Sequence, residues 1–371
     1  MNNILNFYMK SNDLKNILTD EKYSVADNLY GSIILAVAFN SEFGEPKDIS
    51  KIVRMLILSE ITLKNPNLNL VETLKKGKQY EKEAIEYLQI KNLEAKEAFR
   101  FRITDFSLTK LIDEKGDYLS FENLYKEALN LAIFKLNHIE DYEKYKKIFK
   151  FYYLNYRLKN KLRSGWDKKH WNVKGDRIER ISEHIIGTIA LAIAIDSEFD
   201  FNIDINKVIE MLAIHEVGEI LIGDITPFDG VTPQQKKEIE HNAIEDVLEC
   251  LTNQTNLINL IFEFDEYQTN ESVFSHYCDK IEADIQAKVY QDNCMQNQLD
   301  EQQNNVVFKS DKVKHMLENG AQTAFDIWYL WDKSIYENNI IFTLLLEFVK
   351  DNDLTKFSSM RQKDKQFKLK N

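Results

Sequence analysis

E-R-I-S-E-H at residues 179–184 and H-E-V-G-E-I-L-I-G-D-I-T-P at residues 215–227 decide how this chain reads. Nowhere else do histidines and carboxylates lie so close together with apolar residues packed around them. Burying such groups costs desolvation energy unless something compensates, and a bound metal ion is the commonest compensation.

Around the second block, Val208, Met211, Leu212, Val217, Ile220 and Leu221 recur at three- and four-residue steps. That spacing predicts one buried helix with His215 and Glu219 on a shared face and Glu216 aimed near the same point. Gly223 suits the left-handed turn that ends a helix, Pro227 follows, and Asp224 falls just past the end. A lone histidine in an apolar helix is ordinarily a hydrogen-bonded core residue. Here four polar groups converge, which favours a site.

The first block supplies a partner. His184 opens the run I-I-G-T-I-A-L-A-I-A-I, a helix with so little polar surface that it belongs at the centre of its domain. A third element runs over residues 277–290, with Asp279 placed at the start of an amphipathic helix, either as its cap or as a further ligand.

In this order the motifs resemble those of the HD-domain metal-dependent phosphohydrolase superfamily, and within it the 5'-deoxynucleotidases. The likeness covers roughly residues 148–292. It rests on R-S-G-W at 163–166 against an Arg-x-Gly-Trp, on E-R-I-S-E-H against E-S-V-A-E-H, and on H-E-V-G-E-I-L-I-G-D against H-D-x-x-E-x-x-x-G-D followed by Pro. F-E-F-D-E-Y-Q-T at 262–269 completes it, an acidic-aromatic segment before the last ligand. The resemblance implies a divalent transition metal (Mn, Co, Fe, Ni or Zn) held by His184, His215, Glu216 and Asp279. It implies proton relay by Glu219 and a supporting role for Asp224 at the site or the sugar. One departure stands out: Glu216 occupies the position where the family has Asp, one methylene shorter.

Other residues are placed by their own chemistry. Arg163 is a candidate phosphate clamp, because a planar guanidinium holds two phosphate oxygens at once. Trp166 is a candidate platform for a sugar or base, although tryptophan is more often core. Glu179 and Glu183 flank His184 and are expected to orient it. The segment F-D-G-V-T-P-Q-Q after Pro227 reads as a loop able to cover a substrate.

The chain has 371 residues, with 44% hydrophobic, 4 Pro and 11 Gly, so there is core enough for two domains and little punctuation. An all-α fold is expected. A net charge of −12 argues against stable nucleic-acid binding, whose affinity comes from basic groups displacing counterions. Cys250, Cys278 and Cys294 form no CxxC and read as reduced thiols. No signal peptide or membrane-length apolar run is evident, so a cytoplasmic protein with no membrane partner is expected.

The chain also repeats itself. F-Y-M-K-S-N-D-L-K-N-I-L at 7–18 answers F-Y-Y-L-N-Y-R-L-K-N-K-L at 151–162; 27–43 answers 183–199; 49–61 answers 205–217. Asn28 then stands where His184 stands and Ser59 where His215 stands, while Glu60 answers Glu216. The expectation is two tandem HD-like helical lobes, residues 1–145 without the chemistry and residues 146–371 with it. Chance similarity of two apolar helices is the alternative. Leu124, Ala128, Leu131, Ile133 and Phe134 form an apolar stripe that closes the first lobe. Residues 313–328 and 335–349 read as two aromatic-rich helices, and residues 360–371 as a basic tail.

The function expected is hydrolysis of nucleoside 5'-monophosphates or another small phosphate ester. A catalytically impaired nucleotide-binding regulator and a helical scaffold are the alternatives. Because family members look dimeric, either a homodimer or an intramolecular pseudo-dimer is expected.

Overall fold

The computed structural model describes residues 1–20, 22–131, 134, 141–175 and 177–358. Ile133 of the apolar stripe and the basic tail lie outside the described residues. The fold is all-α, and no β-strand occurs among the described residues. The first half carries α1 (Asn2–Asp13), α2 (Val25–Phe43), α3 (Ile49–Lys64), α4 (Leu70–Thr73), α5 (Gly77–Leu88), α6 (Leu93–Lys115) and α7 (Phe121–Asn130). Then follow α8 (Tyr142–Asn155), α9 (Ile181–Glu198), α10 (Ile205–Ile214), α11 (Glu219–Ile222), α12 (Pro233–Leu248), α13 (Gln254–Glu266), α14 (Asn270–Asp292), α15 (Asp311–Glu318), α16 (Ala324–Asp332) and α17 (Ile340–Asp351).

Two helices form the axis. In α2 and α9 nearly every residue is buried, as their unbroken apolar runs require, and the two pack against each other. Ser24 and Asp27 close a capping box that fixes the start of α2. Around α2 lie α3, α6 and α8; around α9 lie α1, α10 and α14. Thus α1 packs chiefly on α9, across the chain from its sequence neighbours, and α8 packs chiefly on α2. No helix among the described residues is long and apolar enough to cross a membrane.

Three sequence expectations are corrected. The helix expected to run on past His215 ends at Ile214, and residues 215–218 form a tight turn held by Val217 N–H to Ile214 O and Glu219 N–H to Glu216 O before α11 begins. Gly218 permits a close approach of this turn to α12, because a Cβ there would stand 3.3 Å from Glu240 O and 3.1 Å from Ile244. Asp279 lies in the middle of α14, whose start is capped by Thr269, so it is no cap. The pattern at 313–328 is split into α15 and α16 near Gly320, whose φ is +97°.

Candidate metal centre and cavity

His184 on α9, His215 at the end of α10, Glu216 in the turn beyond it and Asp279 on α14 meet at one point, their ligand atoms all within 4.8 Å of one another. His184 Nε2 is 2.9 Å from Asp279 Oδ1 and 3.6 Å from Glu216 Oε1. His215 Nε2 is 3.5 Å from Glu216 Oε1 and 3.9 Å from Asp279 Oδ1. Donors bound to one ion at about 2.1 Å cannot stand more than about 4.2 Å apart, so each of these pairs can share a cation.

Each imidazole is oriented from behind. His215 Nδ1 bonds Leu212 O at 2.8 Å, and His184 Nδ1 bonds Glu282 Oε2 at 2.6 Å, which leaves both Nε2 atoms turned to the cluster. The Nε2 of His215 is buried and has no hydrogen-bond partner among the described residues. Two imidazoles and two carboxylates suit a divalent transition metal, and the residues fit such an ion.

Three of the four, His215, Glu216 and Asp279, line a cavity of about 350 Å³, and His184 lies fully buried behind them. Arg163, Glu219 and Asp224 line it beside the cluster, and the two tryptophans Trp328 and Trp331 of α16 line it with Trp166, Trp171 and Phe228. Asp224 Oδ2 accepts from Ser164 N at 2.7 Å and stands 4.0 Å from Arg163 Nε, which fixes the loop that carries the arginine. Trp166 is almost wholly buried, donates from Nε1 to Glu179 Oε2 at 2.9 Å, and lies 4.9 Å from Trp328 between ring centres. The structure therefore brings Arg163, Trp166, His184, His215, Glu216, Glu219, Asp224 and Asp279 to one place.

The carboxyls divide by environment. Burial, with the charges of Glu216 and Asp224, raises Glu219 well above the ordinary carboxyl range and favours its protonated form. Against their burial, His215, Arg163 and His184 hold Glu216 low, and Lys280 with the two imidazoles holds Asp279 far below it. Burial and the charge of Arg163 push His184 down, the charge of Glu282 and hydrogen bonds that the ring donates to Asp279 and Glu282 push it up, and the net is about 9. One protonated acid beside two ionised ones is the arrangement that general acid chemistry needs.

Some expected partners differ. Glu183 does not touch His184; it bonds Ser24, Arg177 and the Arg180 N–H. The orienting carboxylate is Glu282, three residues after Asp279 on the same helical face, a spacing that could have revealed it. Glu179, His184 and Glu282 would form a second cation cluster, but Lys15 Nζ already lies 2.5 Å from both carboxylates and supplies the positive charge.

A buried, cation-fitting cluster beside a substrate-sized cavity, in an all-helical fold, is the arrangement a metal-dependent hydrolase requires. The family model described as HD domain matches residues 156–321. The 5'-deoxynucleotidase HDDC2 of Dictyostelium discoideum is 30% identical over 142 residues, 36% of this chain and 73% of that protein. The human 5'-deoxynucleotidase HDDC2 is 26% identical, covering 36% of this chain and 64% of its own, and the Saccharomyces cerevisiae 5'-deoxynucleotidase YGK1 is 32% identical over 96 residues, 25% and 40%. The chain belongs to the HD-domain family, among its 5'-deoxynucleotidase-like members.

Proposed function

We propose that this protein hydrolyses nucleoside 5'-monophosphates to nucleoside and phosphate, with a divalent transition metal held by His184, His215, Glu216 and Asp279. One observation carries the reading. Arg163, His215, Glu219 and Trp328 all line the same cavity, and each keeps a buried polar atom with no partner among the described residues: Nη1, Nε2, Oε2 and Nε1. Buried polar atoms are rarely left unpaired, and four around one cavity point to a ligand that pairs them.

An ion held by His184, His215, Glu216 and Asp279 would supply Lewis acidity and lower the pKa of water. Arg163 binds the phosphoryl oxygens and stabilises the charge that grows on them. Glu219, protonated, gives its proton to the 5'-oxygen as the P–O bond breaks, and regains one from the attacking water. Asp224 holds the Arg163 loop. The aromatic wall of Trp328, Trp331 and Phe228 takes the base and sugar and excludes water from that end.

Phosphate release should be measured across Mn, Co, Ni, Zn and Mg, with ribo- and deoxynucleoside 5'-mono-, di- and triphosphates. Turnover of 5'-monophosphates that a chelator and His215→Ala both abolish is expected. Tight nucleotide binding with no phosphate released under any metal refutes hydrolysis, and would make the protein a nucleotide-binding regulator with Glu216 as the altered ligand.

A further inference from the structure

The sequence repeat finds a counterpart in side-chain contacts, and the contacts are crossed. Lys15 and Tyr8, from the start of the first half, bind a carboxylate of the second. Lys15 Nζ lies 2.5 Å from Glu282 Oε1 and 2.5 Å from Glu179 Oε1, with Gln286 Oε1 at 3.4 Å, and Tyr8 OH donates to Glu282 Oε1 at 2.7 Å. Lys159 and Tyr152, which answer them in the repeat, bind a carboxylate of the first half. Lys159 Nζ lies 3.1 Å from Asp105 Oδ1 and 2.7 Å from Thr109 Oγ1, and Tyr152 OH donates to Asp105 Oδ1 at 2.7 Å. Glu282 with Gln286 and Asp105 with Thr109 share the same four-residue spacing.

The resemblance extends to the backbone. A Cβ on Gly187 would stand 2.3 Å from Glu282 Oε1 and 2.9 Å from Lys15 Nζ; a Cβ on Gly31 would stand 1.8 Å from Asp105 Oδ1. Both positions need glycine for the same reason, the close approach of a buried ion pair to a central helix. The bridge Leu18–Ser24 likewise answers Leu162–Arg180.

The two clusters differ in what they support. In the first half Lys159 reaches Asn28 Oδ1 at 3.1 Å, and Asn28 is no metal ligand. In the second half Glu282 uses its other oxygen to hold His184 Nδ1 at 2.6 Å. A carboxylate behind a ligating histidine fixes the ring and raises its basicity. Glu282 does so while itself fully buried, which requires a buried positive charge, and Lys15 provides it.

We infer that Tyr8 and Lys15 are positioning residues for the metal centre, delivered by the first half of the chain, so that the half without ligands completes the half with them. This rests on the metal-centre reading above. The full-length protein is titrated with Co(II), and the affinity and the visible absorption bands of the bound ion are recorded. Lys15→Met should weaken Co(II) binding about 10–100-fold and shift the bands. Tyr8→Phe, which removes one hydroxyl from a buried ring, should weaken it about 3–10-fold. Lys159→Met breaks the equivalent pair in the first half. It should lower the melting temperature as Lys15→Met does, yet leave the Co(II) affinity within about twofold of wild type.

The inference is overturned if folded Lys15→Met or Tyr8→Phe binds Co(II) as the wild type does, or if Lys159→Met weakens binding equally. Should Lys15→Met fail to fold, Tyr8→Phe decides alone. A wild-type protein that binds no metal at all would instead sink the metal-centre reading itself.

Discussion

Shortening Glu216 to the aspartate of the motif it resembles should weaken the metal centre, not perfect it. Glu216 Oε1 stands 3.5 Å from His215 Nε2 and 3.6 Å from His184 Nε2. It reaches there from a turn held by Glu219 N–H to Glu216 O and by the close contact of Gly218 with α12. Removing one methylene withdraws the carboxylate by up to about 1.5 Å, one carbon–carbon bond. Its oxygens then stand about 5 Å from both imidazole nitrogens, beyond the roughly 4.2 Å that two ligands of one ion can span. Losing an outer partner of a ligand costs about 10–100-fold in affinity, so losing the ligand itself should cost about 100-fold, or about 2.7 kcal/mol. Isothermal titration of Glu216→Asp with Mn(II) or Co(II) reads this directly, with Glu216→Gln as the control that keeps the length and removes the charge. A Glu216→Asp variant that binds either metal as tightly as wild type shows that the turn yields to the shorter side chain and refutes the geometric reasoning.

Arg163→Lys keeps the charge but loses the fork, and should lower kcat/KM for a 5'-monophosphate about 100-fold, measured by phosphate release. Trp331→Ala should raise KM for nucleotides about 5–100-fold, the range of one base–aromatic stack, while leaving ribose 5-phosphate turnover nearly unchanged; equal loss for both substrates would remove the base from that wall. Asp332, beside Asp284, is raised to about 6 by burial, which Lys280 only partly offsets. A carboxyl raised above its unfolded value near 3.9 costs nothing while protonated in both states, loses stability as pH rises from about 4 to 6, and carries the full cost of up to about 3 kcal/mol above that. Asp332→Asn should therefore raise the melting temperature at pH 8 and change it little at pH 4; a gain at pH 4 equal to that at pH 8 contradicts the sign.

The central helices are legible in the sequence because their apolar runs at 29–39 and 185–195 leave no face for solvent. So is the grouping of His184, His215 and Asp279, through motif order. The end of α10 at His215 is not legible, since Val217, Ile220 and Leu221 continue the helical spacing. The turn at 215–218 sits where Gly218 packs closely on α12, a contact between distant residues that the local spacing does not encode. Asp279 gives no sign of its mid-helix place for a similar reason: the apolar pattern at 277–290 lacks the eight residues before it, where Thr269 caps the helix. Trp328 falls in a helix read only as aromatic-rich and Trp331 falls between the two helices expected there, yet both line the cavity, carried by α16 where it packs on α14.

The contact between Lys15 and Glu282 joins residues 267 positions apart. A ribosome has made most of the polypeptide before the second of these leaves the exit tunnel. Early contacts cannot include it, and closing so large a loop is intrinsically slow. Asp279 and Glu282 lie three residues apart on α14, so a chain stopped before them lacks both a ligand of the cluster and the carboxylate behind His184. A chain clipped just after Lys15 would instead keep all four residues of the cluster and lose the cation that lies against Glu282.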